Sequence, residues 1–265
     1  AQTKANYQNN LIEIGPDNVS GRVRAMVIDQ SDSTHKTLYA GGVAGGLYKW
    51  GADAASWEFI PYYESEGHQV TLPISSMIQT EDDNMIYIGT GEGLSMNEHT
   101  NPAVIIPQGK GLLQFNPANN TFTLVNGTQN WTSVNKMAYL HRNGKTHLYV
   151  ANNDGLYRIM IENGTVSAPT QVFQGAVQDV DVVTGDNMAF FTSGSRLYKI
   201  SNITDNGTNW TDISANCTAF GGDAYRIDLA VAKAERTYIY AMVIKATGAL
   251  AGIFLSPNQT DWTRL

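Results

Sequence analysis

Hydrophobic and polar positions along this chain alternate in short runs, and the runs come in groups of four. The first run of each group reads "RVRAMVID", "ISSMIQT", "NKMAYLH", "VQDVDVV" or "RIDLAVA". The second reads "LYAGG", "MIYIGT", "HLYVAN", "MAFFTS" or "YIYAMV", and the third "GGLYKW", "GKGLLQF", "NDGLYRIM", "SGSRLYKI" or "LAGIFLS". A fourth closes each group: "SWEFI", "NTFTLV", "NGTVSAPTQV", "GTNWTDI" or "TDWTRL". Every run is rich in β-branched and aromatic residues and is bounded by Gly, Asn, Asp or Pro, which predicts strands joined by turns. No window carries a 3.6-residue apolar period long enough to predict a helix.

Leu47, Leu113, Leu156, Leu197 and Ile253 mark the third run of each group and lie 66, 43, 41 and 56 residues apart. A four-stranded propeller blade takes roughly 40 to 50 residues. The spacing therefore predicts an all-β chain, a β-propeller of four-stranded antiparallel blades, about five of them here, with inserted loops in the two long gaps. The expected organisation is an N-terminal extension over 1–10 and a propeller over 11–265, with blades near 17–62, 70–126, 130–173, 175–214 and 223–265. Gly41, Gly42, Gly45 and Gly46 fit a tight turn and close contact between neighbouring strands. A phosphate-cradling loop would need a helix after those glycines, and "LYKW" reads as a strand.

Composition agrees with this picture. Of 265 residues 42% are apolar and 15% charged, enough for a large core. The formal charge is -7 with no basic stripe, which makes nucleic acid and anionic membrane poor partners on electrostatic grounds, and no nucleic acid is expected. No apolar run is long enough to span a membrane as a helix. Cys217 is the lone cysteine, so no internal disulfide or cysteine-rich metal site is expected. The opening "AQTKANYQNN" suits the residue pattern left by signal-peptide removal, giving a secreted, periplasmic or cell-surface location; a trimmed piece of a longer chain is the alternative. Ten Asn-x-Ser/Thr tripeptides fall mostly at blade turns, where Asn and Gly suit the geometry.

The text "IGPDNVSGRVRAMVIDQSDSTHKTLYAGGVAGGLYKW" with "SWEFI", and "MIYIGTGEG" followed by a long loop and "GKGLLQF", resembles exported propellers of bacterial neuraminidase-type (Asp-box) repeats. These are related to sortilin-like and two-propeller xyloglucanase-like domains. The resemblance covers about residues 12–115 and is repeat-level beyond. It implies that each blade's first strand lies nearest the axis. It also implies rings of seven or more blades, so the five units either close with an extra edge strand from "NLIEIG" or belong to a larger ring. Asp-box turns follow Ser-x-Asp-x-Gly-x-x-Trp and are structural in the family. Degenerate copies here supply Asp53 and Trp57; Asp205, Gly207 and Trp210, with Ile203 in the Ser position; and Trp262, with Asn258 four residues before it. Xyloglucanase-like relatives carry a catalytic Asp in the turn between strands two and three of the first blade. Val43 stands there and can neither accept a proton nor activate water. Sialidases need an arginine cluster; Arg22, Arg24 and Arg226 are candidates, read more simply as braces between blades.

Two long insertions, Pro61–Pro73 and Gly91–Gly111, are expected to project from the same face of the ring. Function rides on such loops when a rigid scaffold holds them. The expected ligand-binding set is Tyr62, Tyr63, His68, Glu92, Asn97 and His99, with Arg22 and Arg24. Tyrosine rings stack on sugars and carboxylates hydrogen-bond hydroxyls. The leading expectation is a non-catalytic propeller that binds a protein or glycan partner or scaffolds a surface assembly. The alternative is a glycoside hydrolase, sialidase- or xyloglucanase-like, using Glu92, Glu66 and Glu98; a third is an assembly factor that handles another protein. His68 and His99 with Glu66, Glu92 or Glu98 are competent metal ligands but lack a metal-binding spacing, so no metal or cofactor is assigned. Further blades of a longer parent protein are the other expected partner. Asp179 and Asp181 share one face of a first strand and are expected to line the axial channel.

Overall fold

A computed structural model describes residues 21–51, 55–93, 107–204, 207–232 and 238–265. Five antiparallel sheets follow one another along the chain. Blade one is β1 (Val23–Ile28), β2 (Leu38–Gly42), β3 (Gly46–Gly51) and β4 (Ser56–Ile60). A two-stranded hairpin, β5 (Tyr62–Tyr63) and β6 (Gln69–Val70), leads to blade two: β7 (Ile74–Gln79), β8 (Ile86–Thr90), β9 (Leu112–Asn116) and β10 (Thr121–Leu124). Blade three holds β11 (Lys136–Arg142), β12 (Lys145–Ala151), β13 (Gly155–Glu162), β14 (Thr165–Val166) and β15 (Thr170–Gln174). Blade four is β16 (Asp179–Val183), β17 (Met188–Ser193), β18 (Arg196–Ile200) and β19 (Trp210–Asp212). Blade five is β20 (Ala224–Val231), β21 (Ile239–Lys245), β22 (Leu250–Ser256) and β23 (Thr263–Arg264).

Each sheet runs in simple meander order, so the four-run grouping of the sequence is the strand order of the blade. Blade three is the exception. Its fourth strand is split, with β14 and β15 both pairing β13 and Pro169 between them, because proline cannot donate to the ladder. Second strands sit between two partners and carry the continuous apolar runs; β8 is buried along its whole length.

Four apolar cores lie between successive blades. Tyr39, Leu47 and Ile60 meet Ile74, Ile88 and Phe115 between blades one and two. Tyr87 and Leu112 meet Met137, Leu148 and Val150 between two and three. Tyr149 and Leu156 meet Val180, Phe191 and Tyr198 next, and Phe190 and Leu197 meet Ile227, Ala241 and Phe254 last. First strands pack side by side in the order β1, β7, β11, β16, β20. Leu47, Leu113, Leu156 and Leu197 are buried. Ile253 is not: it is 43% exposed, and Phe254 takes the core side one position later. A register that moves by one residue exchanges the two faces of a strand.

One 3₁₀ segment, Ser214–Phe220, interrupts the strand pattern, and it buries Cys217 and Phe220. Its seven residues are too few to leave a helical period in the sequence. The opening glycines act through shape. Gly46 has φ +82°, and a Cβ on Gly41 would overlap the Ile74 side chain of blade two. Gly89 repeats the device one blade later, against Val134.

Gly41→Ala is therefore expected to cost about 1–3 kcal/mol through overpacking, and Ile74→Val in the same chain to return part of that loss. Denaturant unfolding of the two single variants and the double variant checks the coupling.

Candidate functional site

Turns between second and third strands and the connections between blades emerge on one face. On that face the β5–β6 hairpin turns tightly: the Glu64 N–H donates to the His68 carbonyl and the Gly67 N–H to the Glu64 carbonyl. Lys110 pairs with Glu64 at 2.9 Å and ties the hairpin to the neighbouring loop of blade two. The two insertions thus meet, as their position in the repeat predicts. Tyr62 is half-buried, its ring edge-on to Phe122 at 5.4 Å, whereas Tyr63 is 55% exposed. His68 and Glu66 lie exposed together at 3.9 Å on the hairpin turn.

Glu92 has a different environment. Its carboxylate is 7% exposed and accepts from the Arg22 guanidinium at 2.5 Å and from Arg24 at 2.9 Å. The arginines belong to blade one and the glutamate to blade two. Backbone bonds fix both sides: the Val43 N–H donates to the Arg22 carbonyl, and the Gly91 N–H to the Pro73 carbonyl. Burial lowers the Arg24 guanidinium below its usual range, and the Glu92 carboxylate opposes that effect. Arg226 pairs with Asp228 at 2.8 Å on β20.

Asn97, Glu98, His99, Asp53 and Asp205 lie outside the described residues. Of the other box residues, Gly207 sits at φ +64° and its carbonyl accepts from the Tyr149 hydroxyl at 3.0 Å. Trp210 packs edge-on to Tyr198 and to Phe173 of the preceding blade, and Trp262 packs on Phe220. Trp57 stacks at a tilt on Trp50, 5.5 Å away.

Asp179 is buried and Asp181 half-buried, and neither carboxylate is free. They accept the Leu229 and Val231 N–H groups of β20, at 2.7 and 2.9 Å, and so join blade four to blade five. Burial raises the Asp179 carboxyl to about 6, opposed by Lys136 at 3.8 Å and by the Leu229 N–H.

The sequence reading missed a cleft of about 620 Å³ on the opposite face, among the first strands of blades two to four. Glu81, Tyr139, His141, Arg142 and Asp181 supply its polar lining. His141 meets Asp82 at 2.9 Å there, and Thr146 donates to the same carboxylate at 2.6 Å. The only sequence trace of this arrangement is "EDDN" in the turn after β7, which reads as ordinary turn chemistry.

No family model and no curated protein matches the chain. Solved structures do. The extracellular domain of a putative one-component system, BT4673 from B. thetaiotaomicron, matches with TM-score 0.60 and 14% identity over 96% of this chain and 29% of that one. The xyloglucanase of family GH74 from Xanthomonas campestris matches with TM-score 0.55 and 14% identity over 91% and 37%. The WD40 propeller domain of Doa1 matches with TM-score 0.52 and 13% identity over 88% and 68%. The chain thus spans well under half the length of the first two. At these identities the likeness defines the fold, a β-propeller of four-stranded antiparallel blades. Among the described residues no helix is long and apolar enough to cross a membrane.

Two outcomes follow. Glu92→Ala leaves two guanidiniums without their carboxylate and is expected to cost about 1–3 kcal/mol, whereas Glu66→Ala on the exposed turn leaves the melting temperature unchanged. For Asp179, the folded value of about 6 lies above the unfolded value near 3.9. Its contribution is full below about pH 4 and is lost as pH rises through 6. Relative to Asp179→Asn, the wild-type chain should lose about 2–3 kcal/mol between pH 4 and pH 7. Thermal unfolding of both chains across that range checks the sign.

Proposed function

We propose that this chain is a non-catalytic, exported binding propeller of the neuraminidase-repeat kind, whose loop-bearing face at blades one and two holds a protein or glycan partner. One observation carries the reading. The carboxylate at the polar centre of that face, Glu92, is already taken by two cations and joins two blades. A general acid or base must be free to reach the substrate, and both oxygens of this carboxylate already accept from guanidiniums. Glycoside hydrolysis needs two carboxyl groups at a set separation on rigid supports. Glu66 sits instead on an exposed hairpin turn beside His68.

The hairpin offers recognition chemistry. Tyr63 presents a large, rigid aromatic surface at low entropic cost, as binding surfaces commonly do. Tyr62 anchors the hairpin edge-on against Phe122, and the Lys110–Glu64 pair ties the hairpin to the neighbouring loop. Val43, buried in the turn beside Arg22, supports the same conclusion, since the xyloglucanase-like Asp position is apolar here. The extracellular description of one structural neighbour is compatible with export. The hydrolase reading draws on the xyloglucanase neighbour, whose likeness is one of fold.

A glycan array and a surface-protein pull-down, run beside hydrolysis assays on sialosides and β-glucans, test the assignment. Tyr63→Ala should weaken binding about tenfold without moving the melting temperature, equivalent to about 1.4 kcal/mol. Turnover of any glycan that disappears in Glu92→Gln would show the face to be catalytic and end this reading.

A further inference from the structure

The cleft of about 620 Å³ on the face opposite the loops has no part in the reading above, and its size suits a small ligand. Three blades supply its polar walls: Glu81 in the turn after β7, then Tyr139, His141 and Arg142 of β11, and Asp181 of β16.

Hydrogen bonding decides which atoms are left for a ligand. The Thr146 hydroxyl is fully buried and gives its one proton to Asp82 Oδ2 at 2.6 Å. Toward His141 Nδ1, 3.1 Å away, it can then only accept. Asp82 Oδ1 lies 2.9 Å from the same nitrogen. Two acceptors around Nδ1 place the ring proton there, so the neutral imidazole carries its lone pair on Nε2. That nitrogen is at the ring edge that neither Asp82 nor Thr146 holds. These contacts join blade two to blade three, so the acceptor is set in place before any ligand arrives. Glu81 is exposed, and its Oε1 accepts from the Tyr139 hydroxyl at 3.3 Å. Asp181 accepts the Val182 and Val231 N–H groups, and a carboxylate has about four acceptor sites. Arg142 is turned to the Asn187 side chain in the first turn of blade four. The walls thus present acceptors and a negative balance: two carboxylates, with Asp82 behind His141, against one guanidinium.

We propose that this cleft binds an organic cation, a primary ammonium or guanidinium on an aliphatic stem, presented by a free amine or by a Lys or Arg side chain of a peptide. The cation donates to His141 Nε2 and to the Glu81 carboxylate. The half-buried Tyr139 ring offers it an aromatic face. Ile78, Met137 and Val182 supply apolar wall for the stem. A metal ion suits these walls less well. It needs its ligands gathered within about 2.6 Å of one point, and among the described residues no three His, Cys, Asp or Glu are grouped to hold one. A chain of several carbons can bridge acceptors that do not converge. The proposal does not depend on what the loop face binds.

Isothermal titration calorimetry and thermal-shift measurements on the 265-residue chain test it. Cadaverine and agmatine are the free cations, and acetylated, amidated lysine and arginine stand for the peptide source. Pentanediol and glutarate are the neutral and anionic controls. The cations are expected to bind and the controls are not. Tighter binding of the free amines assigns the site to a small molecule, and tighter binding of the capped residues assigns it to a peptide; both fit the proposal. Glu81→Gln should weaken cation binding about tenfold, and Arg142→Gln should strengthen it about threefold. Both side chains are exposed, so both variants should melt with the wild-type chain. Tyr63→Ala, which tests the loop face, should leave cation binding unchanged. Equal binding of pentanediol, a preference for glutarate, or affinity unmoved by Glu81→Gln would overturn the proposal. So would the absence of both heat and thermal shift with every cation at millimolar concentration.

Discussion

Apolar contact between blades is the constraint on which this molecule depends. A four-stranded meander has two faces and little stability alone, because so few strands cannot enclose a core. Here the second strands are apolar on both sides, so each blade needs a neighbour on each side. Burying an aromatic or branched side chain contributes about 1.5–3 kcal/mol. Tyr39, Tyr87, Tyr149 and Phe190 occupy corresponding positions in blades one to four, and all are fully buried. Position in the ring, more than the hydrogen bonds within a blade, keeps these residues out of water.

Polar contacts act at the rims of these cores and set the alignment of one blade on the next. Gln79 of blade two donates to Asp29 of blade one, and Ser75 donates to the Val134 carbonyl of the following blade. Asn135 donates to the Val177 carbonyl, and Thr192 to that of Ile227. Each interface therefore combines a nondirectional apolar centre with a directional polar edge. Arg22, Arg24 and Glu92 are the version of this edge at the first interface. The charges that look most like chemistry in the sequence thus contribute to the frame.

Much of the fold was legible because the repeat is written in strand-period language. Four runs per group, glycines at close approaches and Asn in turns each have a local physical cause, and Asn163 at φ +51° is one such turn residue. Where legibility failed, the cause was nonlocal. Ile253 marks the third run of blade five but not its inward face, because neighbouring apolar residues, Ile253 and Phe254, compete for one inward position and only cross-strand register decides between them. Alternation gives Asp179 and Asp181 a shared face but not a partner; the partner is a backbone 50 positions later. The Asp82–His141 contact joins two blades and leaves no motif. For the site, sequence placed the two insertions side by side. It could not tell which carboxylate would be engaged by arginines.

Fold likeness at 13–14% identity accompanies the extracellular domain of a putative one-component system, a xyloglucanase and a WD40 propeller domain alike. What separates such proteins is which side chains remain unspent after the blades are assembled. In this chain, assembly uses Glu92, Arg22, Arg24, Asp179 and Asp181, and leaves Tyr63, His68 and Glu66 at the surface. An exposed aromatic ring is a surface on which a partner can stack, whereas bond cleavage requires a fixed pair of proton-transfer groups.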